Sequence, residues 1–260
     1  MASNAISPDF TQAGYSSILG AALAAGYRPL CMREAVAAAG GRILLLRHDV
    51  DFSLNYALRM AAFEHSLGLR STYFLIPHND YYNPLSPGGR RLVEQIVALG
   101  HEIGLHWDSS IYPQEASGMR DYFRRDLETL GAIVGHPIVS ASQHIPADSP
   151  LLDVRGMVPN EAYSDGVRKR FSYVSDSAMK WRDVTPYDLI ACSVDIQFLA
   201  HPLWWFASGT TREEKLRNIP VDSQRRISEQ CEDFIAYMNG VLADRASYDR
   251  RFRQLRGLDG

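Results

Sequence analysis

The chain has little of what marks several large classes of protein. Its three cysteines, Cys31, Cys192 and Cys231, are odd in number, far apart and never in a Cys-x-x-Cys pair. That excludes a disulfide framework and a zinc knuckle, and reads as three buried thiols. No run of about 18 apolar residues occurs, so no segment is expected to span a membrane. The start lacks the basic residues and unbroken apolar core of a secretory signal, because the stretch at residues 18–25 is interrupted by Gly20 and preceded by polar residues. A cytoplasmic, reducing setting is the expectation. Basic excess is absent too: 27 Lys and Arg against 30 Asp and Glu leave a net charge of -3, no footprint for nucleic acid or an anionic membrane. The one basic cluster, Arg250 to Arg256, has acids just upstream and reads as a solvated helix end. The glycines form neither a GxGxxG turn nor a GxxxxGK loop, which argues against a phosphoryl-transfer or nucleotide-binding protein.

What is present is a large apolar fraction in a regular rhythm. With 260 residues and 46% hydrophobic content the chain can bury a sizeable core, and with no repeat or linker dividing it, residues 1–260 read as one domain. Residues 1–41 form a helical lead-in, with helices over 10–25 and 32–39 stopped by Gly26 and by Gly40-Gly41. Apolar runs at 43–46, 72–76, 102–106 and 138–142 then predict strands. Helices from residue 53 to Gly68, over 89–99 and over 119–134 lie between and after them, the last with Tyr122, Leu127, Leu130 and Val134 inward. Such βα alternation predicts a parallel sheet, open or closed. Residues 148–169 read as loops, 171–174 and 196–200 as late strands, with 189–193 a third option. A closing helix over 222–246 carries Ile227, Cys231, Phe234, Ile235, Met238 and Val241 at helical spacing, and docks on its own core or on another subunit.

The residues that follow the apolar runs carry the chemistry. In βα proteins the working groups collect at the C-terminal ends of the strands. Here those ends read His48, Asp49 and Asp51; His78, Asn79 and Asp80; His106 and Asp108; His144; Asp176; and His201. One such group is what any solvated strand end shows. An aspartate and several histidines converging on one mouth are the ligand set of Zn²⁺ or a similar divalent ion. Asp49 and Asp51, two apart on an extended segment, point to the same side, so one is placed to hold a metal while the other takes a proton. Tyr81, Tyr82, Trp107, Trp204 and Trp205 lie beside the rim, where aromatic rings stack on sugar faces. On an extended chain Trp204 and Trp205 cannot both point inward. His65, His101 and His136 lie away from the mouth and read as structural.

Four segments in order, Arg47-His48-Asp49-Val50-Asp51, Ser71-Thr72-Tyr73-Phe74, Gly100-His101-Glu102-Ile103-Gly104-Leu105-His106 and Gln197-Phe198-Leu199-Ala200-His201-Pro202, resemble the polysaccharide deacetylase family, also called NodB-like or carbohydrate esterase family 4. The resemblance implies a distorted (β/α) barrel of α/β class and metal-dependent removal of acetyl groups from N-acetyl sugars. It implies that Asp49 is the base and Asp51 a metal ligand, although Val50 separates two acids that the family places side by side. His106 matches the first metal histidine of the second motif, while Ser110 stands where the next belongs. Serine is a poor zinc ligand, so the third position falls to His144, His48, Asp108 or water. His144 is favoured, in the Gln143-His144-Ile145-Pro146 segment that replaces the family's arginine-proline motif. His201 matches the late histidine that acts as general acid.

The HDVD start and the His-Pro-x-Trp-Trp segment resemble a divergent intracellular branch of that family. This resemblance implies a pocket that includes Tyr82, Asn83, Asp108, Asn160, Tyr163, Asp176 and Trp205, with Asp176 in reach of a histidine. The resulting expectation is a zinc-dependent hydrolase that removes an N-acetyl or similar acyl group from a nucleotide-linked or lipid-linked glycan precursor in surface polysaccharide assembly. The alternative is a carbohydrate-binding or regulatory protein that kept the barrel and lost turnover. Ser110 is its support, and the survival of Asp49, Asp51, His106 and His201 stands against it.

Overall fold

The longest strand organises the rest. In a computed structural model that describes residues 9–113, 115–146 and 153–257, strand β2 (Ile43–Val50) is buried along its whole length, as a parallel strand covered on both faces must be. Strand β1 (Arg28–Leu30) pairs with the start of one β2 edge, and β3 (Thr72–Leu75) takes over that edge from Arg47 to Val50. Outward from β3 come β4 (Glu102–Trp107), β5 (Ser140–Gln143) and β6 (Asn160–Glu161). On the other side of β2 lie β8 (Ile196–Leu199) and then β7 (Ser172–Ser175). Every pairing is parallel.

The sheet is curled, and one side chain proves it. Arg47 on β2 reaches Ser142 on β5 at 2.7 Å, although three strand spacings separate those strands, about 14 Å on a flat sheet. The same guanidinium meets Gln197 on the opposite neighbour, β8. The result is the expected distorted (β/α) barrel, open between β6 and β7, which pair with no further strand among the described residues. Inside its lower end, Met32, Ala35, Ile43, Leu45, Phe74, Ala162, Val167 and Phe171 form one apolar cluster.

The helices are α1 (Gln12–Ala24), α2 (Met32–Ala37), α3 (Leu54–Ser66), α4 (Pro87–Ala98), α5 (Ala116–Val134), α6 (Asp165–Arg170), α7 (Pro186–Cys192), α8 (Pro202–Phe206), α9 (Arg212–Ala243) and α10 (Arg245–Leu255). Local chemistry sets their ends. Ser53 caps α3 and Ser86 caps α4, each accepting a backbone N–H of the first turn, and Gly135 closes α5 with φ 78°.

Several expectations are corrected. Residues 189–192 are helical and Ser193 caps them, because Thr185 and Asp188 make a capping box and Pro186 opens the turn. The inward face of α5 is Met119, Phe123, Asp126, Leu130 and Ile133, leaving Tyr122 exposed. Trp204 and Trp205 are both buried, since α8 sets them a helical step apart where an extended chain would oppose them. Of the cysteines, only Cys31 is buried. The lead-in is no mere cover, because β1 joins the sheet and α2 enters the core.

The chain falls into two units, Met1–Leu216 and Arg217–Gly260. The first holds the whole sheet and α1 to α8. The second holds most of α9 and all of α10, where Ile227, Phe234, Ile235 and Met238 are exposed. Among the described residues no helix is long and apolar enough to cross a membrane.

Candidate active site and metal centre

On β2 the odd-numbered residues Arg47 and Asp49 face the barrel interior and His48 faces out, as the two-residue period of a strand dictates. Arg47 Nη2 donates to both carboxylate oxygens of Asp49, at 2.8 and 3.1 Å, to Ser142 Oγ at 2.7 Å and to Tyr163 Oη at 3.2 Å. Nη1 donates to Gln197 Oε1 at 3.3 Å. The guanidinium lies over the rings of Phe74 and Tyr163, 5.3 and 5.0 Å from their centroids. Burial alone would raise the Asp49 pKa, but Arg47 first, then His106 and His201, outweigh it and hold the carboxyl below its ordinary range. Asp49 is therefore an ionised group in a buried setting.

Asp51 continues the same face to the strand mouth. Its Oδ1 lies 3.4 Å from His106 Nε2, and its Oδ2 lies 3.6 Å from His201 Nε2. His106 Nδ1 donates to the Ser142 carbonyl at 2.9 Å, which fixes the ring and leaves Nε2 facing the two aspartates. His144 Nδ1 pairs with Asp108 Oδ2 at 3.1 Å, which orients the ring. Asp51, His106 and His144 each offer one ligand atom, all within 4.8 Å of one another. One further observation tests the fit of a cation: Asp51 Oδ1 is buried and has no hydrogen-bond partner, a cost that a bound cation would relieve. One carboxylate and two imidazoles, each imidazole held by a carbonyl or carboxylate behind it, suit zinc or a similar ion. Burial opposes ionisation of Asp51 too, yet His106 first, then the charges of His201 and His144, hold its carboxyl well below the ordinary range.

His201 closes the far side. Its Nδ1 meets Asp176 Oδ1 at 2.5 Å, and Asp176 Oδ2 accepts from Trp205 Nε1 at 2.6 Å and from the His201 backbone N–H at 2.9 Å. Burial would lower the His201 pKa, but Asp176 above all, then Asp51 and Asp49, raise it to about 9. It is a protonated imidazole whose Nε2 faces the carboxylate pair.

The structure thus brings Asp49, Asp51, His106, His144 and His201 together. Asp108, Tyr163, Asp176 and Trp205 each stand within one or two hydrogen bonds of that group. Tyr82 is buried, and its hydroxyl donates to the Val50 carbonyl and accepts from the Ile76 N–H, so it pins the end of β2. The side-chain hydrogen bonds of Asn83 stay within its own turn, and those of Asn160 join β5 to β6. His48 is excluded as a metal ligand, because both of its ring nitrogens are engaged, with Ala200 O at 3.0 Å and Glu64 Oε1 at 2.7 Å. Ser110 is exposed in the short turn after β4.

The role of Arg47 went unread in the sequence, and Asn79 was read only as one of the groups at a strand end. Arg47 precedes Asp49 by two residues on a strand, and that spacing alone places a cation beside the acid. Asn79 donates through Nδ2 to the Asp51 carbonyl at 2.8 Å, while its Oδ1 accepts from Tyr81 N and Tyr82 N. No sequence pattern announces this loop clamp.

No family profile matches the chain and no curated protein matches it. Similar solved structures include a CE4 family pseudoenzyme from Bacillus anthracis, with 16% identity, 70% of this chain and 60% of that chain covered, and a TM-score of 0.41. Another is the peptidoglycan deacetylase PdaC from Bacillus subtilis, at 13% identity, 74% of this chain and 94% of that chain, TM-score 0.42. IcaB from Ammonifex degensii is similar at 17% identity, 51% of this chain and 65% of that chain, TM-score 0.41. The chain spans under two thirds of the length of the pseudoenzyme.

Proposed function

We propose that the chain is a metal-dependent hydrolase that removes an acetyl group, or another small acyl group, from the nitrogen of a sugar. One observation carries this reading: the ligand atoms of Asp51, His106 and His144 converge within 4.8 Å, and two proton-transfer groups flank them, Asp49 at 3.6 Å from His106 and His201 at 3.6 Å from Asp51. Zinc held by Asp51, His106 and His144 would polarise the acyl carbonyl and lower the pKa of a water towards ~7.

The chain's own groups then divide the work. Asp49, kept ionised by Arg47, accepts a proton from the attacking water as its oxygen bonds to the acyl carbon; a positioned base contributes about 10²- to 10⁴-fold. His201, protonated and aimed by Asp176, gives its proton to the sugar nitrogen as the C–N bond breaks. A carboxylic acid and a free amine leave, and the protons balance. Trp205 holds the other oxygen of Asp176, so the acid's supporting carboxylate stays fixed. The substrate class proposed is a nucleotide-linked or lipid-linked glycan precursor of surface polysaccharide in the cytoplasm, on the likeness of the HDVD and His-Pro-x-Trp-Trp segments to an intracellular branch. Tyr82, Asn83, Asp108, Asn160, Tyr163 and Trp205 are the proposed pocket residues.

The exposed Ser110 favours a second reading, a carbohydrate-binding protein without turnover. Release of acetate from a panel of free, nucleotide-linked and lipid-linked N-acetyl sugars by the zinc-loaded protein decides between them. Turnover that falls about 10²-fold or more in Asp49→Asn supports the hydrolase. Sugar binding with no acetate from any member, unchanged in Asp49→Asn, supports the binding protein.

A further inference from the structure

Most apolar side chains of the helical residues beyond Ile227 lie in solvent, with Phe234 61% and Leu242 65% exposed and Val241 half-buried, but the pattern is not scattered. Ile227, Cys231, Phe234, Met238 and Val241 follow one another at steps of four, three, four and three, and after Arg245 the same alternation resumes through Tyr248, Phe252 and Leu255. A repeat of 3.5 residues is the period that keeps a seam turned towards another helix along its whole length. A helix that meets only water has no use for it. The join between α9 and α10 at Asp244 (φ -128°, ψ 53°) divides the seam into two segments, each regular in itself.

The charges beside the seam say what the other helix is. Residues 228–244 carry Glu229, Glu232, Asp233 and Asp244 and no base, whereas residues 245–256 carry five arginines against Asp249 alone. A copy laid parallel would set arginines against arginines. A copy laid antiparallel sets the acidic stretch of each chain on the arginine-rich stretch of the other. An anionic lipid surface fits less well, since it rewards bases beside the whole apolar stripe and the α9 half is flanked by acids. We propose that this seam joins two copies of the chain, paired antiparallel through α9 and α10.

Sedimentation equilibrium of the full chain over a wide concentration range tests this, with the mass of a dimer as the expected result. The double variant Phe234→Asp, Met238→Asp changes exposed positions, so circular dichroism should stay unchanged while the dissociation constant rises by about tenfold or more. Charge reversal then reads the orientation. Glu232→Arg with Asp233→Arg should weaken the dimer, Arg250→Glu with Arg251→Glu should weaken it likewise, and all four changes together should restore it. A monomer at every concentration, a dimer indifferent to the seam variants, or reversals that show no rescue would overturn the proposal. So would a monomer that floats with vesicles of phosphatidylserine and phosphatidylcholine. None of these readouts depends on turnover.

Discussion

Arg47 and Asp49 stand two residues apart on one strand and form a 2.8 Å ion pair with the arginine side chain wholly buried. In a buried pair each charge depends on the other, and removing one partner typically costs about 3–5 kcal/mol because it leaves an uncompensated charge behind. Arg47→Met is therefore expected to lose about that much stability in urea denaturation. The double variant Arg47→Met, Asp49→Leu should lose less than the single one. An Arg47→Met protein as stable as the parent would mean that Asp49 does not rely on this cation.

Gly104, inside the Gly-His-Glu-Ile-Gly-Leu-His stretch, has a packing reason to be glycine. A Cβ there would lie 2.4 Å from Cε1 of Phe74 and 2.9 Å from the Ser140 carbonyl oxygen, and Phe74 is the ring on which the Arg47 guanidinium rests. Gly104→Ala should cost about 1–3 kcal/mol, the usual penalty of overfilling a packed interior. Thermal unfolding would show it, and an unchanged melting temperature would mean that β3 and β4 yield easily at this point.

Glu161 makes stability depend on pH in an unusual direction. Burial pushes its carboxyl up to about 7, against weaker opposing contributions from the Tyr163 N–H, Arg47 and the Ser164 N–H. A raised acid holds its proton in the folded state after the unfolded chain has released it, so stability is full below the ordinary value of 4.5 and falls as pH rises to about 7. Glu161→Gln should remove that slope. The variant should melt above the parent at pH 8 and near it at pH 4, and equal melting at both would contradict the shift.

Much of this was legible in the residues. The βα rhythm from Ile43 to Ser142 is carried by apolar runs and glycine stops, signals that depend on local sequence alone, and the groups at strand ends followed from the direction of the chain in a parallel sheet. What the sequence hid depended on contacts. β1 and β6 have three and two residues, too few to show alternation. The outward-facing His48 was indistinguishable from a ligand until Glu64 and Ala200 were seen to occupy both its nitrogens. Whether the apolar stripe of α9 meets its own core or another subunit stayed open, because helical spacing reports amphipathicity and is silent about what covers it.

Metal content tests the central reading most directly. Elemental analysis of the purified chain, dialysed against zinc and then against buffer, should find close to one ion per chain. Asp51→Ala and His106→Ala should each abolish it, His144→Ala should lower it, and Ser110→Ala should leave it unchanged. A parent protein that retains no zinc, or one whose zinc survives both Asp51→Ala and His106→Ala, would contradict the assignment of these residues to a metal centre.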